Sequence, residues 1–229
     1  MIKFCRKFLP FLLVLLFFCS CTDFFSTSWG KWAARDPSKL IPPVTIDNVY
    51  DLLDMATTPD LSLELLKKIG DAVEKSKGDE KAKLQAAAVE AAANSVGLLQ
   101  TLAGATGALT NIDEDNAKDF AIKTINGMPN LDEASDALFK LLNSGDSDDF
   151  DNFIDNATAE EIALAAVLIL AGEAKKNQDD MDKYIDEFFD DPSPQAELAL
   201  LLAESLVDKG KVEDVPGPLR DILEGLNLW

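Results

Sequence analysis

The sequence predicts an all-α protein, with helical hairpins packed either as an α-solenoid-like array or as an irregular helical bundle. Three observations carry this. Apolar residues recur at three- and four-residue spacing from residue 46 onward. Ser or Thr directly followed by Pro, or placed three residues before Glu, marks several helix starts. No run of alternating apolar and polar residues ends in a hairpin turn, so no segment reads as a strand.

Asp47 is positioned to cap a short first helix presenting Val49, Leu52, Leu53 and Met55. Thr58-Pro59 opens the next, since a capping hydroxyl and a proline in the first turn both suit a helix N-terminus. Leu61, Leu65, Leu66, Ile69, Ala72 and Val73 form its inner face, and Gly78 is expected to end it. A long helix is expected over 79–102. Its alanines at 86–93 allow close approach by neighbours and suit a central position. Shorter helices follow at 114–126, 131–143 and 147–156, separated by Gly127-Met128-Pro129 and Asn143-Ser144-Gly145.

Thr158-Ala159-Glu160-Glu161 fits a capping box and opens the most apolar helix, residues 162–171. Ten apolar residues in succession leave no face for water, so this helix is expected to be buried on most sides. Residues 179–190 read as an acidic amphipathic helix with Met181, Tyr184, Ile185, Phe188 and Phe189 inward. Ser193-Pro194 begins a helix ending near Lys209-Gly210. Pro216 and Pro218 precede a final short one with Leu219, Ile222 and Leu223 inward.

The stretches beginning at Ala159 and Gln195 are similar at an offset of about 36 residues, and the helix near 85–99 fits two such periods earlier. Met181, Ile185, Phe188 and Pro192 resemble the second helix of a tetratricopeptide repeat. The Trp, Gly and Tyr of that family's first helix have no match, so a genuine repeat and chance similarity of alanine-rich helices both stay open.

The N-terminus reads differently. Residues 1–7 carry Lys3, Arg6 and Lys7, and residues 8–18 are apolar except for Pro10, the pattern of a secretory signal. The run is too short to span a bilayer, which takes about 20 residues as a helix. Phe18-Cys19-Ser20-Cys21 then resembles a bacterial lipobox, with a small residue before the modified cysteine; Phe18 stands where the family usually has Leu, as in the looser boxes of spirochaete-type lipoproteins. The resemblance covers about the first 21 residues. It implies a signal peptide over 1–20, lipidation at Cys21 and location in the cell envelope, anchored to a bacterial membrane and facing the periplasm or the surface. The stretch from Phe25 to Asp36 is also similar to the post-anchor segment of some spirochaete lipoproteins, a likeness that implies no function.

Residues 21–45 read as the lipidated cysteine and a tether broken by Gly30, Pro37, Pro42 and Pro43, and residues 46–229 as an acidic helical domain. Phe24, Phe25, Trp29 and Trp32 suit the lipid interface, a clamp on the helical body, or a partner-binding strip; the residues alone leave all three open.

The chain has 229 residues and a net charge of −20; loss of the three cations of residues 1–20, which hold no acid, takes the charge to about −23. Such a body repels phosphate backbones and anionic head groups, so nucleic acid is not an expected partner, and a covalent lipid is the expected link to a membrane. With no histidine, the commonest general base and metal ligand is missing. Acids cluster at Asp146, Asp148, Asp149, Asp151 and Asp155, and again from Asp179 to Asp191. From Asp113, Asp146 or Asp179 the glycine that a calcium loop needs at its sixth position is missing. No phosphate-binding loop, zinc pattern or serine-nucleophile motif is present. The expectation is a non-enzymatic envelope lipoprotein, without cofactor or metal, that binds or scaffolds an envelope protein. The alternative is a carrier of a small apolar ligand held between helices. A hydrolase using carboxylates alone is a third class, with no particular pair singled out among the acids.

Overall fold

A computed structural model describes residues 41–98, 101, 123–143, 147–177, 191–225 and 228, within a unit spanning residues 41–229. The described residues form α-helices and no strand. They are α1 (Val49–Met55), α2 (Pro59–Val73), α3 (Gly78–Val96), α4 (Leu131–Leu142), α5 (Ser147–Asn156), α6 (Ala159–Lys176), α7 (Pro194–Asp208) and α8 (Gly217–Gly225). A 3₁₀ turn at Val212–Asp214 separates α7 from α8, and residues 123–127 add one helical turn before α4.

The local chemistry of the helix ends accounts for three of the helix starts. Thr58 Oγ1 accepts from the Leu61 N–H at 3.3 Å, and Pro59 occupies the first turn of α2. Thr158 accepts from Glu161 N at 3.2 Å while the Glu161 carboxylate accepts from Thr158 N at 2.7 Å, closing the capping box of α6. Ser193 accepts from Ala196 N at 3.1 Å at the start of α7.

Three boundaries differ from expectation. The cap of α1 is Asn48, not Asp47, and its side chain turns backward: Oδ1 accepts from Thr45 N and Nδ2 donates to Pro43 O, fixing the approach to the helix. α2 ends at Val73, and Gly78 stands at the start of α3 with a left-handed φ of 56°. α3 ends at Val96, short of residue 102. Gly97 takes a left-handed φ of 64° and donates to Ala93 O and Asn94 O, and this glycine cap ends the helix. The helix expected over 179–190, the inward residues assigned to it, and most of the one over 114–126 lie outside the described residues, as do Trp229, residues 1–40, Cys21 and the four tether aromatics.

Two pairings dominate, α2 with α3 and α6 with α7. α3 also meets α1, α4, α5 and α6, and α6 meets α4 and α8. In a solenoid each repeat touches only its neighbours in sequence. Contact between α3 and α6, with α4 against both, instead gives the described residues a bundle organised around two central helices. Both are rich in small residues. In α3 every residue from Leu84 to Ala93 is buried except Glu90, and in α6 the run from Ile162 to Leu170 is buried throughout. The expected central place of the alanine-rich helix and the burial of the apolar one are both present.

α4 and α6 cross closely. A Cβ on Gly172 would overlap the Oγ and Cβ of Ser135, so glycine there is what lets the two backbones approach. Ion pairs flank this crossing: Lys175 with Asp132 at 2.9 Å and Lys176 with Asp136 at 2.7 Å, while Lys67 of α2 reaches Glu133 at 3.3 Å.

Candidate functional site

Burial explains most chemistry-bearing side chains as structure. Ser62 is buried and donates to Ala56 O at 3.0 Å, joining α2 to the end of α1. Gln85 lies inside α3 and donates to Leu141 O at 2.7 Å, holding the last turn of α4; its Oε1 has no partner among the described residues. Lys211 donates to Ile154 O at 2.9 Å and Ala157 O at 2.8 Å, placing a cation at the C-terminal end of α5, where the helix dipole favours it.

The acidic cluster read from residues 146–155 is spread over ion pairs. Asp149 pairs with Lys81 of α3, and Asp155 pairs with Lys209 at 2.6 Å. The Lys209 ammonium, by hydrogen bond and then by charge, holds the Asp155 carboxyl below the usual range. Asp151 is exposed, and Asp146 lies outside the described residues. Of the second cluster, Asp191 is described and exposed. Among the described residues no group of three or more acids or cysteines is placed to hold a metal ion.

A different set of acids converges at the meeting of α1, α3 and α6. Glu90 of α3 is half-buried, and its carboxyl is pushed above the ordinary range, first by burial and then by the charges of Glu161, Asp54 and Glu160. Tyr50 of α1 stands beside them, 48% exposed; burial, then Glu161 and Glu90, raises its phenol. Among the described residues no lysine or arginine forms an ion pair with Asp54, Glu90 or Glu160. The lysines of α2 and α6 described above go to α4 instead. The outcome is a negative surface with a part-exposed aromatic in it. Met55, 68% exposed, sits at the far end of α1.

Sequence reasoning passed over this site. The signal was there: Glu90 is the one charged residue between Leu84 and Val96. A lone acid in a run otherwise fit for burial marks where that run reaches the surface. Which charges from other helices gather around it depends on packing, and spacing along the chain does not encode that.

No protein-family model, curated protein or solved structure matches this chain. Among the described residues no helix is long and apolar enough to cross a membrane.

Proposed function

We propose that the chain is a lipid-anchored protein of the bacterial envelope whose acidic helical body binds another envelope protein. The observation that carries the reading is the order of features along the sequence. Three cations precede an apolar run of about eleven residues; then come Ser20-Cys21, a proline-broken tether, and a strongly acidic helical body. A cysteine at that boundary suits thioether lipidation. Two or three acyl chains give firm attachment, at about 0.8 kcal/mol per buried methylene. The net charge supports a covalent anchor, because the body is repelled by anionic lipid.

Within the body, the negative surface around Tyr50 and Glu90 is the face best suited to a partner, and the partner it suits is basic. A cation brought there relieves repulsion among Asp54, Glu90, Glu160 and Glu161, which no lysine or arginine among the described residues offsets. The tight crossing at Gly172 and the full burial of residues 162–170 favour a surface over a cavity between α4 and α6 as the place of binding.

The test uses the full chain in bacterial cells, with Cys21→Ala and a Glu90→Gln/Glu160→Gln double variant beside it. Intact mass and membrane fractionation read the anchor; crosslinking with mass spectrometry reads the partner. The expected result is an acylated, membrane-bound chain, with one stoichiometric partner that the Cys21→Ala chain loses through release and the double variant loses while still anchored. A non-acylated chain overturns the anchor. A partner retained by the double variant overturns the assignment of the face, and no reproducible partner overturns the scaffold reading.

A further inference from the structure

We propose that Asn126-Gly127 is a site of spontaneous covalent modification, where the asparagine amide is lost through a cyclic imide to leave aspartyl and isoaspartyl forms of the chain. Asn126 is the only asparagine in the sequence followed by glycine. The reaction requires the backbone nitrogen of the following residue to swing onto the side-chain carbonyl, and a Cβ on that residue is the usual obstacle. Glycine has none, and its backbone moves with few steric limits.

The surroundings leave that motion free. Asn126 and Gly127 are both exposed, and beyond the adjoining residues and the backbone of its own turn no heavy atom lies within 4 Å of where a Cβ on Gly127 would stand. The two residues close the helical turn at 123–127, and Met128 N donates to Ile125 O at 3.1 Å just beyond. Terminal helical turns fray, and fraying supplies the extended backbone that attack requires.

The steps balance with water as the only co-reactant. The Gly127 nitrogen bonds to Asn126 Cγ, the Cγ–Nδ2 bond breaks, and ammonia departs with the former amide proton. Water then adds at one of the two imide carbonyls, and its proton returns to the nitrogen as that carbon–nitrogen bond breaks. Opening at one carbonyl leaves aspartate in a normal backbone; opening at the other routes the backbone through the side-chain carbon.

The two products differ in what they do to the fold. Aspartate adds one charge at an exposed position. The isoaspartyl form lengthens the backbone by one methylene between two seated residues: Ile125 packs against the core, and Met128 is buried. Just beyond, Asn130 holds a left-handed φ of 54° and donates to Ser95 O at 3.3 Å, and Leu131 is fully buried. The added length therefore acts on the start of α4, which packs against α2, α3 and α6.

Purified full-length protein is held at mildly alkaline pH and sampled over time by peptide mapping, with Gly127→Ala and Asn126→Asp as companions. The open space at Gly127 and its ordinary backbone make the alanine variant compatible with the fold, which circular dichroism checks. The expected result is that Asn126 reacts several-fold faster than Asn152 or Asn156, that Gly127→Ala slows it several-fold, and that the isoaspartyl fraction melts below Asn126→Asp. Equal rates at the three asparagines, or a rate indifferent to Gly127→Ala, overturns the site. An isoaspartyl fraction that melts with Asn126→Asp overturns its effect on α4.

Discussion

α6 and α7 begin alike and live in different surroundings. Each opens on a hydroxyl cap, Thr158 in one and Ser193 in the other, and each continues in leucine and alanine. α6 meets α3, α4, α7 and α8, whereas α7 packs mainly on α6. Accordingly α6 is buried from Ile162 to Leu170, while α7 leaves Leu201 45% and Val207 47% exposed. The placement of charge separates them. α7 carries Glu197, Glu204 and Asp208 along its outer side, and α6 has no charged residue between Glu161 and Glu173. A helix without a polar stripe has to be enclosed, and one with a stripe can stand at the edge.

A large expected effect breaks the enclosure of α6. Gly172→Ala forces a methyl into Ser135 of α4, and overpacking of this kind costs about 3 kcal/mol. Chemical denaturation should show the loss. Adding Ser135→Gly should recover much of it, because the next atom near that Cβ is Leu131 O at 3.9 Å. A Gly172→Ala protein that unfolds at the native midpoint would mean that α4 and α6 do not cross this closely.

Truncation sharpens the same contrast. Leu168 of α6 is fully buried, so Leu168→Ala should cost about 2–5 kcal/mol through lost burial and a cavity. Leu201→Ala should stay within about 0.5 kcal/mol, as substitutions at exposed positions do. Comparable losses at the two sites would show that α7 is covered in solution.

The contrast also shows how much the sequence made legible. Helix starts were readable where a side chain acts within its own turn: Thr58, Thr158 and Ser193 each bond a backbone N–H three residues on. The burial of α6 was readable because ten successive apolar residues admit one interpretation. The end of α3 was misjudged because Gly97 lies in an apolar stretch that continues through Leu98 and Leu99, so the left-handed cap was hidden by the surrounding pattern. At α1 the expected Asp47 is displaced by Asn48, whose side chain bonds back to Thr45 and Pro43 and not into the first turn, a contact that spacing along the helix does not encode. The negative surface around Glu90 was not readable, since its four acids come from three helices. Cys21, the one site residue named from sequence, stands outside the described residues, so its reading rests on the motif alone.

Smaller effects belong to the caps that the two helices share. Thr158→Ala and Ser193→Ala should each cost about 1 kcal/mol. The Thr158 loss should be the greater, since its hydroxyl also donates to the Glu161 carboxylate at 2.9 Å, while Ser193 caps alone. Paired thermal melts would read the difference. Equal losses would mean that the bond from the Thr158 hydroxyl to the Glu161 carboxylate adds little.

The smallest effect concerns charge where α6 opens beside α3. The Glu90 carboxyl sits above its ordinary range, so the folded chain holds that proton more tightly than the unfolded chain. Stability is therefore lost as pH rises from the unfolded value, about 4.3 for glutamate, through the raised folded one. It stays lower above that window. Glu90→Gln removes the ionised form. Because the side chain is only half-buried, solvent screening reduces the expected gain at neutral pH to about 0.5 kcal/mol. The gain should vanish on acidification, once glutamate is protonated in both states. Asp155 provides the opposite sign. Lys209 holds its carboxyl low, so Asp155→Asn should destabilise at neutral pH, and that penalty should disappear as pH falls through the depressed folded value. Urea midpoints followed against pH should thus move in opposite directions for the two variants and converge on the native curve in acid. A Glu90→Gln curve below the native one at neutral pH would mean that a cation, absent from the described residues, already sits against Glu90 in solution.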